Sequence, residues 1–241
     1  MPADANPAFE VATIKPSKPD QPGKGFRMNG RNFSTINTSL SDLITFAYDI
    51  QAKQIVGAPA WAESDRYDLG GKPEGEGAPS SRQLKIMVQK LLVDRYKLTF
   101  HRDKKELSVY TINVAKTGAK LTKSEADPSS LPGLGFRGLG TFVARNATMA
   151  DFATVMQTTA LDRPVLDQTG LPGHYDFTLN WRPDEFQFQG LGVKMPPPSA
   201  DAEADPDLFT AIQQQLGLKL ESTKAPAEVL VIDHVEKPSE N

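Results

Sequence analysis

Two aspartates stand at matching places in a Tyr-Asp-apolar pattern, and a pair of carboxylates could do acid–base work or bind a cation. Asp68 follows Tyr67, and Asp176 follows Tyr175. The alternative is that each carboxylate accepts hydrogen bonds from backbone amides or pairs with a nearby arginine. We favour this structural role for both, because a residue that recurs in two copies of a pattern indicates a need of the architecture.

The segment before the second aspartate supplies further candidates. Arg163, Asp167 and Thr169 lie ahead of the Gly/Pro turn 170–173, and they could line a ligand pocket. The alternative is that the aspartate and the threonine satisfy backbone amides beside the turn, as these side chains commonly do. We favour the structural role, but all three stay binding candidates because none has a counterpart in the earlier Tyr-Asp stretch. His174, directly after the turn, is a further binding candidate.

A tryptophan occupies the corresponding place in the earlier stretch. Trp61 precedes Tyr67 by a few residues. An exposed indole there could anchor a partner protein. The default interpretation is that the large apolar ring fills the core. Trp61 is therefore a binding candidate with a structural alternative.

Sequence signatures of familiar enzymes and cofactors are missing. His101, His174 and His234 have no histidine partner three or four positions away, and H-E-x-x-H does not occur. Serine hydrolase signatures are also missing. The glycines of segment 133–138 match G-x-G-x-x-G, but they lead into a strand, so we interpret them as part of a flexible linker. We expect no metal and no cofactor, and we favour a protein without enzyme activity over an enzyme.

The composition is that of a globular protein with a buried core. The chain has 241 residues, of which 39% are apolar and 24% are charged. The net charge of −3 gives no basic excess for nucleic acid or anionic lipid. Cysteine is absent, which excludes disulfides and thiolate metal sites. No apolar run approaches the ~20 residues of a membrane span, and the first residues lack a signal-peptide pattern, so we expect a cytoplasmic protein or a mature exported domain.

Hydrophobic periodicity and capping residues predict the elements of the first half. A capping box at Ser39–Asp42 begins the first helix. The predicted elements are strands Phe9–Ile14 and Asn32–Ile36, a helix to about Asp49, a strand Tyr67–Leu69, a helix Arg82–Tyr96, and a hairpin of Lys97–His101 and Leu107–Val114 around the charged turn Arg102–Glu106.

The second half repeats this order. A second capping box at Thr148–Asp151 begins its first helix, and Gly217 ends its last helix. The predicted elements are strands Thr141–Arg145 and Tyr175–Trp181, a loop Asp184–Ala204, a helix capped by Asp205, and a closing hairpin of Leu218–Glu221 and Glu228–Val235.

These two series of elements indicate a duplicated unit. Asn37 and Asp42 recur as Asn146 and Asp151 at one constant separation. We therefore predict the α+β class, with two pseudo-repeats, each strand–helix–strand–helix–β-hairpin, and largely antiparallel sheets. The predicted division is a first repeat at 8–116, a linker at 117–140 and a second repeat at 141–237, packed as one compact unit.

Several consecutive motifs carry a family resemblance that spans nearly the whole chain. They are Phe9–Ser17 (FEVATIKPS), Pro59–Trp61 before Arg66–Asp68, Leu91–His101 (LLVDRYKLTFH), Arg163–Phe177 and Leu216–Asn241. In these motifs the chain resembles a large family of uncharacterised acidobacterial proteins, of Solibacter type, that carry a domain of unknown function. His174 departs from the arginine or lysine expected at its place in that family.

The resemblance implies an exported protein, periplasmic or secreted, because family members usually begin with a signal peptide. It also implies that in some relatives the domain follows a membrane metallopeptidase of the antibiotic-sensor type. The hypothesis is therefore an extracytoplasmic, non-catalytic binding, interaction or sensor module with a protein or cell-envelope partner, without nucleic acid and without membrane insertion of this segment. Two alternatives stay open: a hydrolase with an unrecognised site in the cleft between the repeats, and a structural cell-envelope protein.

Overall fold

The computed structural model describes residues 1–2, 6–188 and 205–238 of the chain. Contacts divide the chain into two compact units, Met1–Lys104 with Glu228–Asn241, and Lys105–Ala227. Each unit contains an apolar core of its own. The units differ in extent from the predicted repeats 8–116 and 141–237, because the C-terminal segment returns to the first unit.

The elements follow one another in a mixed order of strands and short helices. Those of the first part are β1 (Phe9–Pro16), β2 (Gly25–Asn29), β3 (Asn32–Thr38), α1 (Leu40–Tyr48), a 3-10 turn (Ala52–Gln54), β4 (Ile55–Val56), α2 (Trp61–Ser64), β5 (Tyr67–Pro73), α3 (Ser81–Tyr96) and β6 (Thr99–Val114). Those of the second part are β7 (Thr122–Lys123), β8 (Gly133–Phe136), β9 (Thr141–Ala147), α4 (Met149–Val155) with a π-helical turn (Met156–Ala160), β10 (Val165–Asp167), β11 (Tyr175–Asn180), α5 (Leu208–Leu216) and β12 (Leu218–His234).

The first unit is built on a four-stranded antiparallel sheet with the order β1-β5-β3-β2. Side chains alternate across its strands, so that Phe33 of β3 and Leu69 of β5 are buried. Helices α1 and α3 pack against each other and contribute further buried side chains to the same core. Strand β5 continues beyond its predicted end at Leu69 to Pro73.

The second unit contains a four-stranded antiparallel sheet with the order β7-β11-β9-β8. Phe142 of β9 and Leu179 of β11 are fully buried, and Trp181 is 2% exposed beyond the end of β11. Helices α4 and α5 add Phe152 and Ile212 to this core. The predicted strands Thr141–Arg145 and Tyr175–Trp181 are therefore confirmed to within two residues.

Both predicted capping boxes are present. The Ser39 hydroxyl accepts from the backbone amide of Asp42, and the Asp42 carboxylate accepts from the Ser39 amide. Thr148 and Asp151 make the same reciprocal pair at the start of α4. Two helix starts are thus set by a four-residue pattern that is visible in the sequence.

The two predicted hairpins are wrong. Strand β6 continues through Arg102–Glu106, where every residue is exposed, and β12 continues through the predicted gap between Glu221 and Glu228. The first segment has no glycine or asparagine for a tight hairpin turn. The second contains Pro226, which sequence rules disfavour in a strand interior. Strands β6 and β12 are hydrogen-bonded neighbours in one sheet. Main-chain hydrogen bonds between them therefore hold both strands in place where their side chains are exposed.

Two further predictions need correction. The predicted linker 117–140 contains β7 and β8, and β8 includes the first glycines of the G-x-G-x-x-G segment as an edge strand paired with β9. Helix α5 is capped by Asp207, not by Asp205, because the Asp207 carboxylate accepts the backbone amides of Phe209 and Thr210. Of the predicted loop Asp184–Ala204, residues 189–204 lie outside the described residues.

The structure confirms the α+β class, with several antiparallel sheets and few helices. It also contains parallel pairs that the prediction did not include, β10 with β6 and β4 with β12. In the described part of the chain, no helix has both the length and the apolar character that crossing a membrane requires.

Candidate functional site

Asp68 is held by three hydrogen bonds inside the first unit. Its carboxylate accepts from the backbone amide of Asn37 at 2.8 Å, from the Ser17 hydroxyl at 2.7 Å and from the Gln21 amide group at 3.0 Å. Burial disfavours its charge, but these donors outweigh burial and lower the pKa of Asp68. The Asp68 carboxylate therefore links the bulge of β3 at Asn37, and the loop after β1, to strand β5.

Asp176 makes the same kind of contact inside the second unit. Its carboxylate accepts from the backbone amide of Asn146 at 2.8 Å, and this hydrogen bond is the main reason that the pKa of Asp176 is lowered. The side-chain amide of Asn146 in turn donates to the carbonyls of Asp127 and Ser130. Asp68 and Asp176 belong to different units. Each carboxylate accepts a backbone amide of its own unit.

Arg163 lies on an aromatic ring in the second unit. Its guanidinium carbon is 5.2 Å from the centre of the Tyr110 ring, and its Nη1 donates to the Ser222 hydroxyl at 2.8 Å. The Asp162 carboxylate accepts from its Nε at 3.3 Å. The ring of Phe209 meets Tyr110 edge-on at 5.9 Å. These contacts hold the guanidinium over the Tyr110 ring, a cation–π arrangement.

Asp167 and Thr169 close a local turn. The Asp167 carboxylate accepts the amide of Thr169 at 2.9 Å and its hydroxyl at 2.7 Å. The Thr169 hydroxyl accepts the amide of Leu171 at 3.2 Å. This is the local satisfaction of amides that the structural alternative describes. His174 is half-buried, and its carbonyl accepts the amide of Ser124.

The other two histidines are exposed and pair with carboxylates. His101 Nδ1 lies 2.7 Å from an Asp233 oxygen, and His234 Nε2 lies 2.9 Å from a Glu236 oxygen. Among the described residues, no three His, Asp or Glu side chains are grouped so that they could hold a metal ion.

An open pocket of about 330 Å³ lies in the first unit, and one of its lining residues, Lys237, lies over the Trp61 ring. Its lining consists of Ile14, Pro16, Asp65, Arg66, Tyr67, Lys237 and Pro238. Lys237 Nζ donates to Asp65 at 2.6 Å and lies 5.7 Å from the centre of the Trp61 ring. The indole itself is half-buried and packs on the core. The pocket thus joins an apolar wall to a cation held by a carboxylate and an aromatic ring.

The hydrogen bond between Asp65 and Lys237 stabilises the charged form of both side chains. The hydrogen bond from Lys237 is the largest cause of the lowered pKa of Asp65, and the same bond raises the pKa of Lys237. Burial, followed by the negative charge of Asp65, raises the pKa of Tyr67. At neutral pH the site therefore presents the Lys237 ammonium, the Arg66 guanidinium, the Asp65 carboxylate and a neutral phenol.

A buried hydroxyl lies behind the pocket wall. The Tyr96 ring is fully buried and meets the Tyr67 ring edge-on at 6.1 Å. Within the described residues, the Tyr96 hydroxyl has no hydrogen-bond partner. Burial raises its pKa well above the ordinary tyrosine value, so this hydroxyl is a neutral group in the core.

Sequence reasoning proposed Trp61 as a binding candidate but gave no signal for Lys237, which lies over its ring, or for Asp65, which pairs with Lys237. Asp65 and Lys237 are 172 positions apart, and neither belongs to a motif with a known spacing. The polar C-terminal tail gave no signal that one of its lysines would lie on an indole. Only the folded structure shows that Lys237 lies beside Asp65 and the Trp61 ring.

Comparison with known proteins identifies the family but no characterised relative. The model of the family described as Protein of unknown function (DUF3738) matches residues 41–235. Comparison with curated proteins finds no match, and comparison with solved structures finds none either. The match extends from α1 to the end of β12 and includes elements of both units. The chain therefore belongs to the DUF3738 family of proteins of unknown function.

Proposed function

We propose that the chain is an extracytoplasmic, non-catalytic binding module, and that the pocket beside Tyr67 takes a ligand with an apolar body and a carboxylate. The observation that carries the proposal is the position of Lys237, held between Asp65 and the Trp61 ring at an open pocket whose lining is partly apolar and partly charged. Small-ligand sites combine apolar walls with a few convergent polar groups. This pocket has that composition.

The ion pair at the rim can exchange its partner. The Lys237 side chain is 57% exposed, and exposed pairs of this kind contribute about 0–1 kcal/mol. A ligand carboxylate can therefore compete with Asp65 for the ammonium at small cost. Trp61 keeps the ammonium at the pocket during the exchange, because the ring attracts the cation.

The extracytoplasmic location extends the family assignment. It is supported by the motif resemblance to exported acidobacterial proteins of Solibacter type, some of which carry this domain after a membrane metallopeptidase sensor. A binding module in that setting would report a ligand or a cell-envelope partner to the rest of the protein. The ligand class proposed here, an apolar carboxylate, is compatible with both a small molecule and a free peptide terminus.

Two pseudo-repeats form part of the proposal, and matched backbone geometry supports them. Asn37 and Asn146 adopt left-handed φ values of 53° and 50°. Each donates its backbone amide to the aspartate of a Tyr-Asp strand. In both sheets the strand register shifts at this asparagine. A non-glycine residue rarely has positive φ, so two such bulges with the same partner support a duplicated strand–bulge–helix unit.

The pocket is tested with a matched pair of small ligands. N-acetyl-leucine carries an apolar side chain and a carboxylate, and N-acetyl-leucinamide replaces the carboxylate with a neutral amide. We expect the acid to raise the melting temperature and to shift amide resonances of the pocket in NMR spectra, and the amide to do so more weakly. Lys237→Met should weaken binding of the acid by about two- to five-fold, the loss expected for an exposed ion pair worth up to about 1 kcal/mol.

Lys53→Met is the matched control, because Lys53 is an exposed lysine outside the pocket lining. That variant should bind the acid as the unchanged protein does. Equal binding of acid and amide, or an affinity for the acid that Lys237→Met leaves unchanged, would overturn the assignment of the pocket. If neither ligand binds, the structural cell-envelope alternative gains support.

A further inference from the structure

Among the residues that the structure describes, none pairs with the outer edge of strand β2 in the first unit's sheet. It is the last strand in the order β1-β5-β3-β2, and four of its five residues are exposed. An open edge presents backbone donors and acceptors to any extended chain that approaches it. Proteins commonly cover such edges with proline, bulges or other segments.

The turn between β2 and β3 determines which backbone groups face the edge. Asn29 pairs with Asn32 across a two-residue turn, and Gly30 has a φ of 61° at the first turn position, as in a type II′ turn. Hydrogen-bonded and non-hydrogen-bonded pairs alternate from this point. The N–H and C=O groups of Phe26 and Met28 therefore point away from β3. In the described part of the chain, no other group bonds to them.

The same two residues leave apolar surface uncovered. The Phe26 ring stacks on Phe46 with ring centres 4.7 Å apart, yet the residue is 38% exposed, and Met28 is 45% exposed. Both lie on the core face of the sheet, since they pair with the buried residues Thr35 and Phe33. A further strand would cover this surface with its own alternate side chains.

The other edge of the sheet is protected. Strand β1 contains Pro16, and the guanidinium of Arg95 donates to the carbonyl of Ala12 at 3.3 Å. These devices discourage the addition of a strand beside β1. Strand β2 has no proline and no bulge in its pairing with β3.

The charge of β2 selects the partner. Arg27 is exposed on the outer face of the sheet, and among the described residues no carboxylate pairs with it. A second copy of β2, paired in the symmetric register that uses both Phe26 and Met28, would place Arg27 opposite its own copy. Like charges directly opposite each other destabilise a strand pair. A strand with an acidic side chain at that place would be attracted instead.

We infer that β2 is a docking strand, which receives an extended segment of an acidic partner polypeptide as a fifth strand of the sheet. The apolar side chains of the segment cover Phe26 and Met28, and its acidic side chains meet Arg27. Recognition by strand addition combines main-chain hydrogen bonds with alternate side-chain contacts in this way. The inference concerns the edge of the sheet farthest from β1 and does not depend on the proposed ligand of the pocket.

The probe is a capped peptide that alternates valine with glutamate, added to the full chain and followed by NMR chemical shifts and fluorescence anisotropy. We infer an antiparallel pairing with valines opposite Phe26 and Met28, in which the valine N–H groups face β2 and the glutamate N–H groups face solvent. A peptide N-methylated at the valines should lose binding, and one N-methylated at the glutamates should keep it. Arg27→Glu should weaken the unmodified peptide by about ten-fold, and Arg27→Lys should restore most of the affinity.

Met28→Pro removes an edge donor without touching the hydrogen bonds to β3, and it should also reduce binding by about ten-fold. Thermal unfolding and circular dichroism check that Met28→Pro is folded. If Met28→Pro does not fold, the loss of binding in Arg27→Glu tests the inference instead. The inference is overturned if the unmodified peptide does not bind, or if methylation at the valines has no effect. It is also overturned if the chain forms a dimer that Met28→Pro dissociates, because a second copy would then be the occupant.

Discussion

The Asp68 carboxylate accepts the backbone amide of Asn37, a residue with left-handed φ, and ties the bulge of β3 to β5. Ser17 and Gln21 donate to the same carboxylate from the loop after β1. Asp68→Ala should therefore leave three donors without an acceptor. We expect a loss of about 1–3 kcal/mol in the free energy of unfolding, measured by urea denaturation.

Asp20→Ala is the control for this substitution, since it removes an exposed carboxylate from the same unit. Its effect should stay within about 0.5 kcal/mol. A loss for Asp68→Ala no larger than the control would show that the carboxylate is not needed for the bulge.

The lowered pKa of Asp176 predicts a pH dependence of stability. Its main cause is the hydrogen bond from the Asn146 amide. Because the folded pKa lies below the ordinary value of 3.8, the carboxylate contributes fully above pH 3.8 and loses its contribution as pH falls through the folded pKa. Asp176→Asn should therefore be less stable than the unchanged protein near neutral pH, and the difference should close in strong acid.

Urea denaturation of the unchanged protein and of Asp176→Asn, near neutral pH and in strong acid, measures this difference. The asparagine oxygen can still accept from Asn146, so the comparison isolates the negative charge. A gap of equal size at both pH values would mean that the charge does not contribute.

The cap of α5 gives a third prediction. The Asp207 carboxylate accepts the amides of Phe209 and Thr210 at 2.9 Å and 3.1 Å. Asp207→Ala should cost about 1 kcal/mol, the usual value for a lost N-cap. Asp205→Ala, which removes the same charge two residues earlier, should cost far less. Thermal unfolding of the pair measures the difference, and equal losses would contradict the assignment of the cap.

Local chemistry made part of this fold predictable. The capping boxes at Ser39 and Thr148 act over four residues, so the sequence alone determines both helix starts. The sequence could not place the cap of α5, because Asp205 and Asp207 both stand next to Pro206 and offer the same side chain. A choice between them depends on where the helix packs on the core.

Long-range pairing explains what the sequence did not predict. Strand β6 continues through a charged, exposed segment because β12 lies beside it, and the two are far apart in the chain. The pocket has the same origin, since Asp65 and Lys237 meet only after folding. Trp61 was a candidate because its residue type carries information, whereas a single lysine in a polar tail does not.

Two glycines with the same backbone conformation provide the sharpest test of the second unit. Gly217 and Gly170 both have a φ of 63°. A Cβ on Gly170 would meet no atom within 4 Å, whereas one on Gly217 would strike the Gly118 carbonyl oxygen and approach the Lys120 nitrogen to 2.9 Å. The segment around Gly118 is fixed there, because Lys120 donates to the Leu216 carbonyl.

Gly170→Ala should therefore show the cost of the left-handed conformation alone, about 1–2 kcal/mol. Gly217→Ala should add the cost of displacing a hydrogen-bonded backbone segment, about 1–3 kcal/mol more. Urea denaturation of the two variants gives the difference directly, since the strain of the φ value cancels between them. If the two losses are equal, the segment around Gly118 yields without cost, and the close packing of that segment on Gly217 does not contribute to the stability of the unit.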